Sequence, residues 1–196
     1  LTVNAMAEAA DLRGVTNLLL DLYDRPEWVE ELLAKTGELA VAFARAQVEA
    51  GADIIGLGES VASQVSPRVY ERLILPWEQR VFAAVREMGA IPRLHICGDT
   101  NGILRQMAAS GAEIVDLDWM VDLEKAATLY EEGGPALSGN FDPVAVLLQG
   151  TPDEVYSAAT YCLEVMGPRG ISNAGCEVPL GTPEENLHAQ SRAIAD

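Results

Sequence analysis

A chain of 196 residues, 49% hydrophobic and 22% charged, holds enough apolar material to bury the core of one domain. Its 13 Lys and Arg against 30 Asp and Glu leave a net charge of -17, which argues against contact with nucleic-acid phosphates or an anionic membrane surface. No apolar run spans a bilayer, the amino terminus lacks the pattern of a signal peptide, and three cysteines make no disulfide framework. The expected compartment is therefore the cytoplasm, where thiols stay reduced.

In chain order, Leu1–Ala10 is rich in Ala, Met and Glu and predicts helix. It starts abruptly, without an initiator methionine, like the interior of something longer. Gly14–Leu20 predicts more helix. Asp24-Arg25-Pro26-Glu27 marks a helix start: Asp24 can cap, Pro26 suits the first turn, and Glu27 stands where a capping-box acid would. Trp28, Leu32, Leu39, Phe43 and Val48 carry that helix to about Ala50, and Gly51 stops it. Ala52–Leu57 predicts a strand with Gly58-Glu59-Ser60 at its carboxyl end. Ser66-Pro67 opens a helix that should break or kink at Pro76, resume from Trp77 to Met88 and end at Gly89.

Ala90–Leu94 predicts a buried strand that runs into His95-Ile96-Cys97-Gly98-Asp99, and Ile103–Ala109 is amphipathic. Glu113–Leu117 predicts a strand ending at Asp118-Trp119, followed by a helix over Asp122–Glu132 that Gly133-Gly134 ends. Ala136–Asn140 is a strand closing on Phe141-Asp142-Pro143, and Val144–Leu148 a short helical turn. Thr151-Pro152-Asp153-Glu154 is a strong start for a helix running to about Met166, with a capping Thr, Pro at the first position and Glu at the third. Gly170–Ala174 is the last strand, and Thr182-Pro183-Glu184-Glu185 repeats the start signal for the final helix.

Short apolar strands alternating with helices about five times imply a parallel sheet, its strands neighbours in chain order and its helices on the outer face. Glu59, His95, Cys97, Asp118, Asn140 and Cys176 stand at or just beyond the carboxyl ends of strands, where a (β/α)8 barrel or an open α/β sheet keeps its active site. His95 and Cys97 are two apart on a strand and share a face, and Cys176 follows another strand. One imidazole and two thiolates suit Zn2+, and three protein ligands with an open fourth position is a catalytic pattern. Cys162, at apolar spacing within a helix, is expected in the core. His188, among polar residues of the last helix, is expected on the surface. Glu59 could be a fourth ligand, a proton acceptor or a solvated loop carboxylate. Asp118 and Asn140 could orient substrate, or cap and turn the chain.

Five segments carry a family resemblance: Ala50–Ile55, His95-Ile96-Cys97-Gly98, Gly139-Asn140-Phe141-Asp142-Pro143, Gly150–Val155, and Gly175–Pro179 followed by Thr182–Leu187. From about Gly14 onward the sequence resembles the uroporphyrinogen decarboxylase superfamily, and within it the corrinoid-linked methyltransferases that pass a methyl group from methylcobalamin to a thiol such as coenzyme M. The resemblance implies a TIM-type (β/α)8 barrel, with His95, Cys97 and Cys176 as zinc ligands, a corrinoid protein as partner and a small thiol as substrate. A whole barrel takes about 250 residues. The expectation over 1–196 is therefore a single domain forming only the carboxyl-terminal part of a barrel. It would be either a fragment or a reduced protein whose open sheet edge pairs with something, a homo-oligomer included. The decarboxylases' Arg-containing substrate segment has no counterpart here. Two alternatives stay open: a cofactor-free tetrapyrrole decarboxylase, which leaves the His-x-Cys and Cys176 without a task, and a non-catalytic truncated barrel.

Overall fold

The computed structural model describes residues 2–130 and 133–195. Six parallel strands form one sheet in chain order: β1 Thr2–Val3, β2 Ile54–Glu59, β3 Ile91–Ile96, β4 Ile114–Leu117, β5 Ala136–Phe141 and β6 Ile171–Ala174. The helices between and after them are α1 Ala5–Arg13, α2 Val15–Asp24, α3 Pro26–Glu49, α4 Pro67–Val69, α5 Leu75–Glu87, α6 Leu104–Ala109, α7 Leu123–Leu129, α8 Pro152–Met166 and α9 Glu184–Ala195. This is part of a TIM-type barrel wall, and β2 to β6 fall on the five predicted runs in the predicted order.

β1 departs from the expected helix over Leu1–Ala10, of which Leu1 lies outside the described residues. Thr2 and Val3 pair with Leu57 and Gly58 instead. β-Branched residues favour such pairing, and Asn4 then caps α1, its side chain accepting from Ala5 N at 2.7 Å. Asp24 does not cap α3. It is the last residue of α2, Arg25 takes the cap position without a side-chain bond, and Pro26 opens the helix as expected. Pro76 acts by widening the helix rather than ending it. It has no N–H, and in a regular α-helix its ring would clash with the carbonyl four residues back. Tyr70–Ile74 form a π-helical turn between α4 and α5, with Leu75 N donating to Tyr70 O. Pro143–Leu148 is a second π-helical turn. α7 stops at Leu129, short of the expected Glu132, and Glu131 and Glu132 lie outside the described residues. The buried Tyr130 leaves the helix and donates its hydroxyl to Leu104 O at 2.7 Å. The capping box at α8 forms in full.

Strand alternation decides what each residue faces. Ile55 and Leu57 of β2, Leu94 and Ile96 of β3, and Val115 and Leu117 of β4 are wholly buried in the core formed with the helices. Gly58, His95 and Asp116 align across β2, β3 and β4 on the opposite face, which in a closed barrel is the interior.

Candidate metal centre

β3 delivers His95 on the interior face, and Cys97 follows one residue past the strand. β6 ends at Ala174, and Gly175 carries the chain on to Cys176, its N–H donating to Phe141 O at 2.8 Å. The three side chains converge. His95 Nε2 lies 3.4 Å from Cys97 Sγ and 3.7 Å from Cys176 Sγ, and the two sulfurs are 4.0 Å apart. Zinc with Zn–S of about 2.3 Å and Zn–N of about 2.0 Å, at tetrahedral angles, would space two sulfurs about 3.8 Å and sulfur from nitrogen about 3.6 Å. The donor set and its spacing therefore fit a zinc ion without rearrangement of these residues. Among the described residues, no other His, Cys, Asp or Glu cluster draws its ligand atoms together in this way. Both thiols are half-buried. Burial pushes the Cys97 thiol up to about 12, and Cys176, Asp118 and Glu59 add to that in turn. A bound divalent cation reverses this balance and favours the thiolates.

The imidazole is oriented from behind. His95 Nδ1 lies 3.1 Å from the Asp116 carbonyl and 3.5 Å from the Asp116 carboxylate. A proton on Nδ1, donated to that carbonyl, leaves Nε2 as the free lone pair facing the sulfurs. Asp116 is itself fixed at both carboxylate oxygens, by Arg93 Nη2 at 2.5 Å and Asn173 Nδ2 at 2.9 Å. None of these three residues was among the sequence candidates. The available signal was parity: Arg93 and Asp116 are charged residues inside apolar strands, on the same face as His95.

The remaining candidates take other places. Glu59 pairs with Ile96, so its side chain belongs to the helix side, and it is buried rather than a solvated loop carboxylate. Its carboxylate accepts from Val61 N at 3.1 Å and from Ala7 N, in the first turn of α1, at 3.2 Å. Burial pushes it up to about 7 against those N–H donors. Its carboxylate is near enough to raise the Cys97 thiol but is not among the ligand atoms gathered there. Asp118 accepts from Gly98 N at 2.8 Å and Met120 N at 2.9 Å. Asn140 donates to Asp118 O at 3.1 Å and Val121 O at 2.8 Å, so both amide protons are spent on the β4–α7 loop. Cys162 is buried in α8, its sulfur 4.0 Å from Asn140 Oδ1, and His188 is exposed.

A family model described as uroporphyrinogen decarboxylase (URO-D) matches residues 2–196. The chain belongs to this family. Among its relatives is the methylcobamide:CoM methyltransferase MtbA of Methanosarcina mazei, 34% identical over 169 residues that cover 85% of this chain and 49% of that protein. Another is the uroporphyrinogen decarboxylase of Nocardia farcinica, 40% identical over 129 residues covering 66% of this chain and 36% of that one. A solved methyltransferase from Methanosarcina mazei superposes with a TM-score of 0.90 at 28% identity, covering 98% of this chain and 56% of the other. The chain thus spans about half the length of the relatives it matches. These relatives are methyltransferases or decarboxylases. Among the described residues, no helix is long and apolar enough to cross a membrane.

Proposed function

We propose that this chain carries the metal centre of an enzyme that moves a methyl group from a methylcorrinoid, either methylcobalamin or a corrinoid protein, to a small thiol such as coenzyme M. The observation that carries this reading is the convergence of His95 Nε2, Cys97 Sγ and Cys176 Sγ within 4.0 Å of one another. The similarity to MtbA supports it. These three residues would hold zinc and leave its fourth position to the substrate sulfur. Zinc bound there supplies a Lewis acid that keeps an incoming thiol deprotonated at neutral pH. Methyl transfer to such a thiolate would form a carbon–sulfur bond at the expense of the methyl–cobalt bond, whose electron pair would stay on cobalt, with the thiol proton passing to solvent.

The chain's own residues prepare that step. Asp116, through its carbonyl, holds the imidazole in the tautomer that ligates, and Arg93 and Asn173 hold Asp116. Asp118 and Asn140 act as positioning residues, fixing the loops after β3 and β4. Glu59 anchors α1 to the sheet on the helix side. Reduced thiols at this centre call for a reducing compartment such as the cytosol.

The test is metal analysis of protein purified without chelator, followed by mixing with methylcobalamin and a panel of thiols in the dark. About one zinc per chain and thiol-dependent loss of the methyl–cobalt absorption are expected. A zinc-loaded protein, extended to the length of its relatives, that demethylates no methylcorrinoid with any thiol overturns the reading. The 40% identity to a decarboxylase favours a second reading, decarboxylation of a tetrapyrrole. Conversion of uroporphyrinogen by metal-free protein would establish it instead.

A further inference from the structure

The loop Asp118–Asp122, joining β4 to α7, is held at almost every backbone position. The Asp118 carboxylate accepts from Gly98 N and Met120 N, and Asn140 Nδ2 donates to the carbonyls of Asp118 and Val121. Asn101 Nδ2 donates to Met120 O at 3.2 Å, and Asp122 N donates to Asn101 Oδ1 at 3.1 Å. Val121 is buried, but Trp119 and Met120 are 47% and 50% exposed. Two large apolar side chains are thus held on a fixed backbone and left half in water. Covering the half that remains in water is favourable, so the arrangement forgoes stability that a ligand can recover.

The place of these side chains suggests what would cover them. Asp118, just before Trp119, binds the N–H of Gly98, the neighbour of Cys97. On the other side Trp119 rests against Gly175, the neighbour of Cys176. A methyl group at Gly175 would lie 2.6 Å from Trp119 Cα and 2.7 Å from its Cβ. Trp119 therefore lies against the neighbour of Cys176 and directly follows the residue whose carboxylate holds the neighbour of Cys97. The charges around it are acidic: Asp99, Asp118 and Asp122, with Glu177 following Cys176. Lys125 donates to Asn101 O, and Arg93, on the interior face with His95, is paired with Asp116. With both of these cations engaged, the loop carboxylates disfavour a polycarboxylate more than a broad apolar ring with uncharged substituents.

We propose that Trp119 and Met120 form an apolar lip of the metal centre that seats the corrin ring of methylcobalamin. This rests on the methylcorrinoid reading above and adds to it the residues that recognise the donor. An indole offers a wide, rigid face for a planar ring, and a thioether adapts to its edge.

The test is equilibrium dialysis of methylcobalamin, in the dark, against the zinc-loaded chain and its variants. Trp119→Ala weakens binding about tenfold, the equivalent of about 1.4 kcal/mol of lost contact. Trp119→Phe keeps most of the affinity, and Phe43→Ser, which alters an exposed aromatic residue on α3, keeps all of it. Zinc content and the far-ultraviolet circular dichroism spectrum stay as in the parent. Undiminished binding by a folded, zinc-loaded Trp119→Ala variant overturns the lip. So does tighter binding of uroporphyrin, a polycarboxylate, than of methylcobalamin. Binding that depends on Trp119 in a protein that transfers no methyl group would sink the reaction and keep the lip. Methyl transfer with an unchanged KM for methylcobalamin in Trp119→Ala would do the reverse.

Discussion

Glu78 on α5 offers a quantitative test of the core beneath the metal centre. It is fully buried and accepts the Tyr70 hydroxyl at 2.5 Å and Asn4 Nδ2 at 3.3 Å. Burial pushes its carboxyl from 4.5 up to about 8, with the Tyr70 bond opposing and Glu59 adding to the rise. Above pH 4.5 the unfolded chain releases this proton, while the folded chain keeps it until about pH 8. The unfolded state therefore binds fewer protons in that window, so stability falls as pH rises and is greatest on the acid side. At about 1.4 kcal/mol per pH unit, the step from pH 5 to pH 8 costs the folded state about 4 kcal/mol. Glu78→Gln keeps the volume and an oxygen for the Tyr70 hydroxyl but cannot titrate. Urea unfolding of both proteins at pH 5, 6.5 and 8 should show the parent losing about 4 kcal/mol more than the variant. Glu59, pushed up to about 7, titrates in both and cancels in the difference. The offset between the two proteins at pH 5 reflects the Asn4 contact and is not the readout. Parallel pH profiles would refute the reasoning.

Asp116→Asn removes the charge that Arg93 and Asn173 hold behind His95, and chelator competition should show zinc affinity lowered about 10- to 100-fold. Cys97→Ser should lower zinc content and methyl transfer together, whereas Cys162→Ser should leave both near the parent, as metal analysis and the methylcobalamin assay will show. Gly175→Ala forces a methyl group into the Trp119 backbone; thermal unfolding should report a loss of about 1–3 kcal/mol, as for other overpacked sites. Unchanged zinc affinity in Asp116→Asn, or an unchanged melting temperature in Gly175→Ala, would contradict the contacts described.

The sheet was legible because each of β2 to β6 is a short apolar run closed by glycine or polar residues, and strong helix-start signals stand at Pro26, before β2, and at Thr151, between β5 and β6. Legibility failed where a distant partner decides. Thr2 and Val3 are a strand because Leu57 and Gly58 lie alongside them, a pairing more than fifty residues away that no local window contains. The same holds at the metal centre. His95, Cys97 and Cys176 declare themselves by residue type, since few other tasks need two thiols and an imidazole at strand ends. Asp116, Arg93 and Asn173 are ordinary polar residues until the register of β3, β4 and β6 brings them together. Glu59 stands out by its position at a strand end, but position alone does not fix the face.

That face has a consequence for how the two sides of the sheet are joined. The Glu59 carbonyl accepts Cys97 N at 3.2 Å, while its carboxylate, on the helix side, accepts Ala7 N. One residue thus links the backbone of a proposed metal ligand to the first turn of α1. Asn4 extends the link, capping α1 through Ala5 N and reaching Glu78 through its amide nitrogen. An isolated buried carboxylate would cost several kcal/mol, and three N–H donors at Glu59 offset part of that cost. The arrangement is therefore weak as a source of stability and strong as a positional constraint. The Ala7 N–H fixes the first turn of α1 against the Glu59 carboxylate, and the Glu59 carbonyl fixes the backbone at Cys97. A carboxylate at the mouth of a barrel wall need not meet substrate to matter for the site. Here its geometry serves the ligand that follows β3.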